Sequence, residues 1–123
     1  MQTDVDWRAT AGLLRAGFHA SIAGHAGAVM AGMGHGPARL VALAAWGYLV
    51  YLQVRVSLDA ELFTLLADGV APAEMDGFLA RAGLIGTPRE RSPQDRCRGA
   101  LLLWRQLMIV LAIELVAVVI ALR

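Results

Sequence analysis

The stretch LMIVLAIELVAVVIAL, Leu107–Leu122, decides the fold: a single charge, Glu114, sits among eleven Leu, Ile and Val residues. On a membrane-insertion scale those apolar side chains together contribute roughly 3–7 kcal/mol, against about 2.5–3.5 kcal/mol for a carboxylate at mid-helix. The balance predicts a spanning helix. It leaves Glu114 as a residue whose presence insertion does not explain.

Working back from this stretch, Ser92-Pro93-Gln94-Asp95 places a hydroxyl before proline and an acid three residues on, the pattern of a helix start. A helix from there to Leu122 would be about 45 Å long, against a hydrocarbon core of ~30 Å. A second such signature, Thr87-Pro88-Arg89-Glu90, precedes it. Residues Pro72–Ala82 read as a short helix with Met75, Phe78 and Leu79 on one face, ended by Gly83 and Leu84 in a Schellman turn. No strongly polar residue lies between Leu40 and Leu52. Taken from Pro37 to Val56, with Arg39 and Arg55 snorkelling, this run also reaches spanning length. Its helical period continues through Leu58, Leu62, Leu65 and Leu66 to a stop at Asp68-Gly69. Together with Met75, Phe78, Leu79 and Leu84, the leucines Leu58, Leu62 and Leu65 are expected to form one small core joining the helix ends.

Residues 1–36 are rich in Ala and Gly. Leu13, Leu14, Phe18, Ile22 and Val29 recur at helical spacing, which predicts an amphipathic helix at the membrane interface or against the other helices, with a third span as the alternative. Seven glycines from Gly12 to Gly36 argue against a long, independently stable helix. The expected fold is therefore all-α. It is an integral membrane hairpin over residues 37–123, with two long helices extended into the cytoplasm, a short helical cap within an insert 57–98, and the Gly/Ala-rich segment 1–36 before it.

Composition agrees. Hydrophobic residues make up 58%, charged residues 17%, and mean hydropathy is +0.57, more apolar than a typical soluble domain. All 11 basic residues are arginine, a bias of high-GC bacterial genomes. A net charge of +1 provides no field for nucleic acid. The lone Cys97 excludes an intramolecular disulfide, and Asp4 and Asp6 beside Arg8 do not make a secretory n-region. Arg55, Arg89, Arg91, Arg96, Arg98 and Arg105 flank one side of the spans, against Arg39 and Arg123 on the other. The positive-inside rule then makes 57–98 cytoplasmic and puts both termini outside, in a multi-pass protein of the bacterial inner membrane.

Glu114 is the leading candidate for a functional residue, expected to be protonated or paired in place, with Tyr48 at the same depth as its hydrogen-bonding partner. Arg55, Asp59, Arg98, Arg105 and Gln106 are expected to set helix register or to meet lipid headgroups. His25, Met30, Met33 and His35 form a metal-like group whose soft thioethers suit copper, but no two ligands share i, i+4 spacing, so packing is the expected role and no metal or other cofactor is assigned. Asp59 and Glu61 are two apart and point to different sides of a helix. No catalytic constellation or small-molecule site emerges, so a non-enzyme is expected.

The sequence thus points to a non-catalytic accessory or structural subunit of an inner-membrane complex or homo-oligomer, with membrane lipid and other integral subunits, or copies of itself, as partners. The alternative is an ion- or proton-coupling hairpin using Glu114. In outline that layout resembles the ATP-synthase ring subunit, with Arg105-Gln106 before a carboxylate in the second span. The long insert, the missing glycine repeat in the first span and the absence of proline after Gln106 depart from that family.

Overall fold

The structure is a computed structural model that describes residues 2–86 and 91–123, with side chains from residue 7 onward. The described chain is all-helical: α1 (Gln2–Met33), α2 (Gly36–Ala67), α3 (Pro72–Arg81) and α4 (Pro93–Ala121). At about 1.5 Å per residue the three long helices run roughly 44–48 Å. They pack side by side, and α3 closes one end between α2 and α4.

The helix ends follow the expected chemistry. Ser92 caps α4, its Oγ accepting from the Asp95 amide at 3.1 Å, and Pro93 occupies the first turn. Gly69 and Gly83 take positive φ after α2 and α3, and the amides of Val70 and Leu84 donate back to the carbonyls of Leu65 and Leu79. The Thr87–Glu90 signature lies outside the described residues.

The N-terminal segment packs against the other helices, one of the arrangements expected, but as a longer helix than its glycines suggested. Five of the seven glycines lie within a helix without interrupting it, and Gly34 and Gly36 stand at the turn that follows. Residues 2–33 form one continuous helix packed along both α2 and α4. Its buried face is Trp7, Thr10, Ala11, Leu14, Gly17, Ser21, Gly24, Gly27, Ala31 and, just past its end, Gly34. These positions repeat at the three- and four-residue steps of a heptad seam, and most of them are small. Of the residues expected on its apolar face, Leu14 is buried and Phe18 packs on the core, while Leu13, Ile22 and Val29 are exposed on the outside of the bundle. Close approach of helix backbones offsets the intrinsic cost of the glycines.

Hydrogen bonds and close approaches fix the helix directions. Along α2, Arg8 meets Asp68, Arg15 meets Glu61, Ser21 meets Gln53 and His25 meets Trp46, so α1 and α2 are antiparallel. Along α4, the Thr10–Cys97 pair is 87 residues apart, and the same offset recurs at Gly17–Trp104, Gly24–Leu111, Gly27–Glu114 and Gly34–Ala121, so α1 and α4 are parallel. The start of α1 therefore lies at the α3 end, and the end of α4 lies at the opposite, α1–α2 turn end. The expectation that both chain termini share one side does not match this geometry.

The expected cap core is corrected in part. Met75 and Leu79 are buried, packed with Phe63, Leu66 and the half-buried Leu62 and Ile85. Leu58, Leu65, Phe78 and Leu84 are exposed, with Phe78 at 58%. Two reasons are visible: Phe63 rather than Leu65 lies on the inward side of α2, and α3 presents Asp76, not Phe78, to α4.

Candidate functional site

Two polar centres lie within the bundle, and they differ in kind. In the turn-end half, Glu114 of α4 is fully buried. The space it fills is made by α1: a methyl group at Gly24 would come within 2.7 Å of Oε2 and collide with Leu49, and one at Gly27 would stand 3.4 Å from Oε1. Leu111, Leu115 and Val118 pack around the same two glycines. Neither carboxyl oxygen has a hydrogen-bond partner among the described residues. Tyr48 is not its partner. That side chain is exposed on α2 and stacks on Tyr51 with ring centroids 5.9 Å apart. The reason is angular: Leu49, Leu52, Gln53 and Val56 form the inward face of α2, and Tyr48 lies off it.

Two turns toward the α3 end, Gln53 is buried and donates from Nε2 to Ser21 Oγ at 2.6 Å, while Ser21 donates to the Phe18 carbonyl, also at 2.6 Å. This satisfied pair links α1 to α2. Nearby, the indole of Trp104 lies over Gly17, and its buried Nε1 has no partner among the described residues.

The second centre is at the α3 end. Arg96 of α4 grips Asp76 of α3 with two hydrogen bonds, 3.0 Å from Nη1 and 2.5 Å from Nη2, with both side chains only 11% exposed. Such bidentate pairs fix orientation as well as supplying energy. Here it fastens α3, which has few other polar anchors, onto α4. A cavity of about 360 Å³ opens beside the pair between α2, α3 and α4. Arg55 and Asp59 both line it, together with Arg91 and Asp95.

The residues expected to set register or to meet lipid headgroups lie mainly toward the outside of the bundle. Among the described residues, Arg55 and Asp59 form no ion pair with each other, and Arg105 and Gln106 are exposed. Arg98 borders a shallow groove between the starts of α1 and α4, beside Trp7 and Cys97. The ion pairs that bridge α1 and α2 among the described residues are instead made by Arg15, which donates to both Glu61 and Thr64 at 3.1 Å, and by Arg8 facing Asp68 at 3.7 Å. His25 accepts from Trp46 Nε1 at 3.1 Å, while Met30, Met33 and His35 are exposed near the turn. No cluster of three potential His, Cys, Asp or Glu metal ligands occurs among the described residues.

The sequence reading missed Gly24 and Gly27 as the socket for Glu114, and Arg96–Asp76 as a tertiary clamp. The first had a signal, since small residues recur at heptad steps from Thr10 to Gly34. The second had none, because its partners are 20 residues apart across a loop.

α2 and α4 are long and apolar enough to cross a membrane, and only 28% of the most apolar 18-residue stretch of each is buried. No protein-family model matches the chain, and no curated protein or solved structure matches it significantly.

Proposed function

We propose that the chain is a small, non-catalytic, multi-pass subunit of a bacterial inner-membrane complex or homo-oligomer, in which α1, α2 and α4 cross the bilayer together. One observation carries this reading: the seam that α1 presents to its neighbours is mostly small residues, while many large apolar side chains face outward. Glycine, alanine and serine fill the α1 seam, while Ile22, Val29, Leu40, Val54, Ile109, Ile113, Val116 and Ile120 face outward. Water-soluble monomers rarely expose so much contiguous apolar surface. In lipid the arrangement is favourable, because helices associate through close packing of small residues and the tails solvate the large ones. No Asp, Glu, Lys or Arg occurs in α1 from Ala16 to its end at Met33, a stretch near the lower limit of spanning length.

Among the described arginines only Arg39 and Arg123 lie at the turn end. The positive-inside rule then puts the α3 end in the cytoplasm, with the start of α1 on that side and the end of α4 outside. Extraction in mild detergent tests the functional reading. Recovery in a defined complex or homogeneous oligomer supports a subunit role, whereas a lone monomer, or recovery in the aqueous fraction, contradicts it.

A second reading, proton or ion coupling, is favoured by Glu114 alone: a fully buried carboxyl with no partner among the described residues is costly and needs an explanation. If the residue only fills space, Glu114→Met should raise stability by about 1–3 kcal/mol, because it removes an unsatisfied polar group of similar length. Glu114→Gln separates the readings. An assembled Gln variant that retains cellular function supports the structural role, and an assembled but inactive one supports coupling.

A further inference from the structure

Glu114 divides the interior of the bundle into two unlike halves. On its turn side the buried residues are Ala31, Ala42, Ala117, Val118 and Ala121, whose side chains hold no polar atom. Every other buried polar residue among those described lies on its α3 side: Ser21, Gln53, Thr10 and Asp76. The buried Nε1 of Trp104, over Gly17 and without a partner among the described residues, falls within that series. Thr10 ends it, donating to Cys97 Sγ at 3.4 Å beside the groove between α1 and α4.

The carboxyl itself leans the same way. Helical side chains point toward the N-terminus of their helix, and α4 starts at the α3 end. The carboxyl therefore lies against Gly24 as well as Gly27, one turn from Ser21. The barriers on its two sides also differ in kind. On the α3 side the space between polar groups is filled by Leu14, Leu52 and Leu107, side chains that hop between rotamers even in a packed core. On the turn side backbones meet, and a methyl group at Gly34 would stand 2.8 Å from the Ala121 carbonyl oxygen. No side chain there can swing aside. The groups around the carboxyl are Gly24 and Gly27 of α1, Leu49 of α2, and Leu111, Leu115 and Val118 of α4, none charged or titratable. His25, at the same depth, is exposed on the outside of α1 and accepts from Trp46.

On the proton-coupling reading, on which this inference rests, we propose that Glu114 exchanges its proton with the α3 side alone, the cytoplasm on the proposed topology. Gln53 is the positioning residue, its amide holding water on the route, since buried polar groups are where water lodges inside proteins. A proton delivered by that water forms an O–H bond at a carboxylate oxygen, and leaves by the same path when the bond breaks. One-sided access makes the site a sensor of proton concentration on the α3 side, not a conduit across the bilayer.

Infrared spectroscopy of the intact chain in nanodiscs tests this. The protonated-carboxyl band missing from Glu114→Gln belongs to Glu114, and its shift after transfer to D2O gives the exchange rate. Gln53→Leu should slow exchange roughly tenfold, the scale of one polar contact in lipid. Gln53→Met, unbranched and close to Gln in length, should do the same and guards against a packing defect. Ala117→Gly, which loosens the turn side, should leave the rate unchanged. Gln53 variants that exchange at the parent rate, or faster exchange in Ala117→Gly, overturn the one-sided route and leave the coupling reading standing. A carboxyl that never protonates, or never exchanges in the unmodified chain, contradicts the coupling reading itself.

Discussion

The two ends of the bundle are built on opposite principles. Toward the α1–α2 turn, the helices meet through Gly24, Gly27, Ala31, Gly34, Ala42, Ala117 and Ala121, and the amide of His35 donates directly to the Ala121 carbonyl at 3.1 Å. Toward α3, they meet through Trp7, Leu14, Phe63, Leu66, Met75 and Leu79, with ion pairs at the rim. Burial of large side chains stabilises an assembly where water is the competing solvent. It contributes little between helices in lipid, where close contact of small residues takes over. On the membrane-spanning proposal, the contrast is what one chain of uniform helices tuned to two solvents would show, with Glu114 at the tight end and the arginine-lined cavity at the broad one.

Substitutions at each end sharpen or break that contrast. The largest effect is expected for Phe63→Ala, which removes a buried ring packed 5.3 Å from Trp7 and should destabilise by about 3–5 kcal/mol, seen as a lower unfolding midpoint and faster proteolysis of the α3 end. Arg96→Ala should cost about 3 kcal/mol by leaving Asp76 buried without its partner. Increased proteolysis between α3 and α4, with α1–α2 contacts intact, is the predicted signature. Gly24→Val should cost roughly 1–3 kcal/mol through overpacking against Leu49 and Glu114, and its effect should be confined to the tight end. If it instead loosens α3, the two ends are not separate units. Phe78→Ala should change stability by less than about 0.5 kcal/mol, because the ring is exposed.

How much of this was legible in the sequence depends on what each signal reports. Local signals read well: the Ser92 cap, the Asp68-Gly69 stop and the Gly83 turn depend on backbone chemistry within four residues. Angular signals read poorly where two faces of a helix are both apolar. On α1 the larger residues Leu13, Ile22 and Val29 drew the reading, although the buried stripe is the small one. On α2, Leu58 and Leu65 share the helical period with Phe63 and Leu66, and only packing distinguishes inside from outside. Glu114 was legible as costly, but its surroundings were not, because the pairing of α1 with α4 joins segments 87 residues apart. Arg96 and Asp76 each sit among other charges, so neither could be singled out before α3 was placed.

The claim on which the account rests is that α1 crosses the bilayer parallel to α4 and antiparallel to α2. The most direct measurement is impermeant thiol labelling of intact cells, after Cys97→Ser, with single cysteines placed at Ala9, at Ala82 and at Arg123. The account predicts labelling at 123 alone, with 9 and 82 reached only after the membrane is permeabilised. Labelling of position 9 in intact cells while 82 stays protected would place α1 on the outer surface and contradict the three-helix bundle.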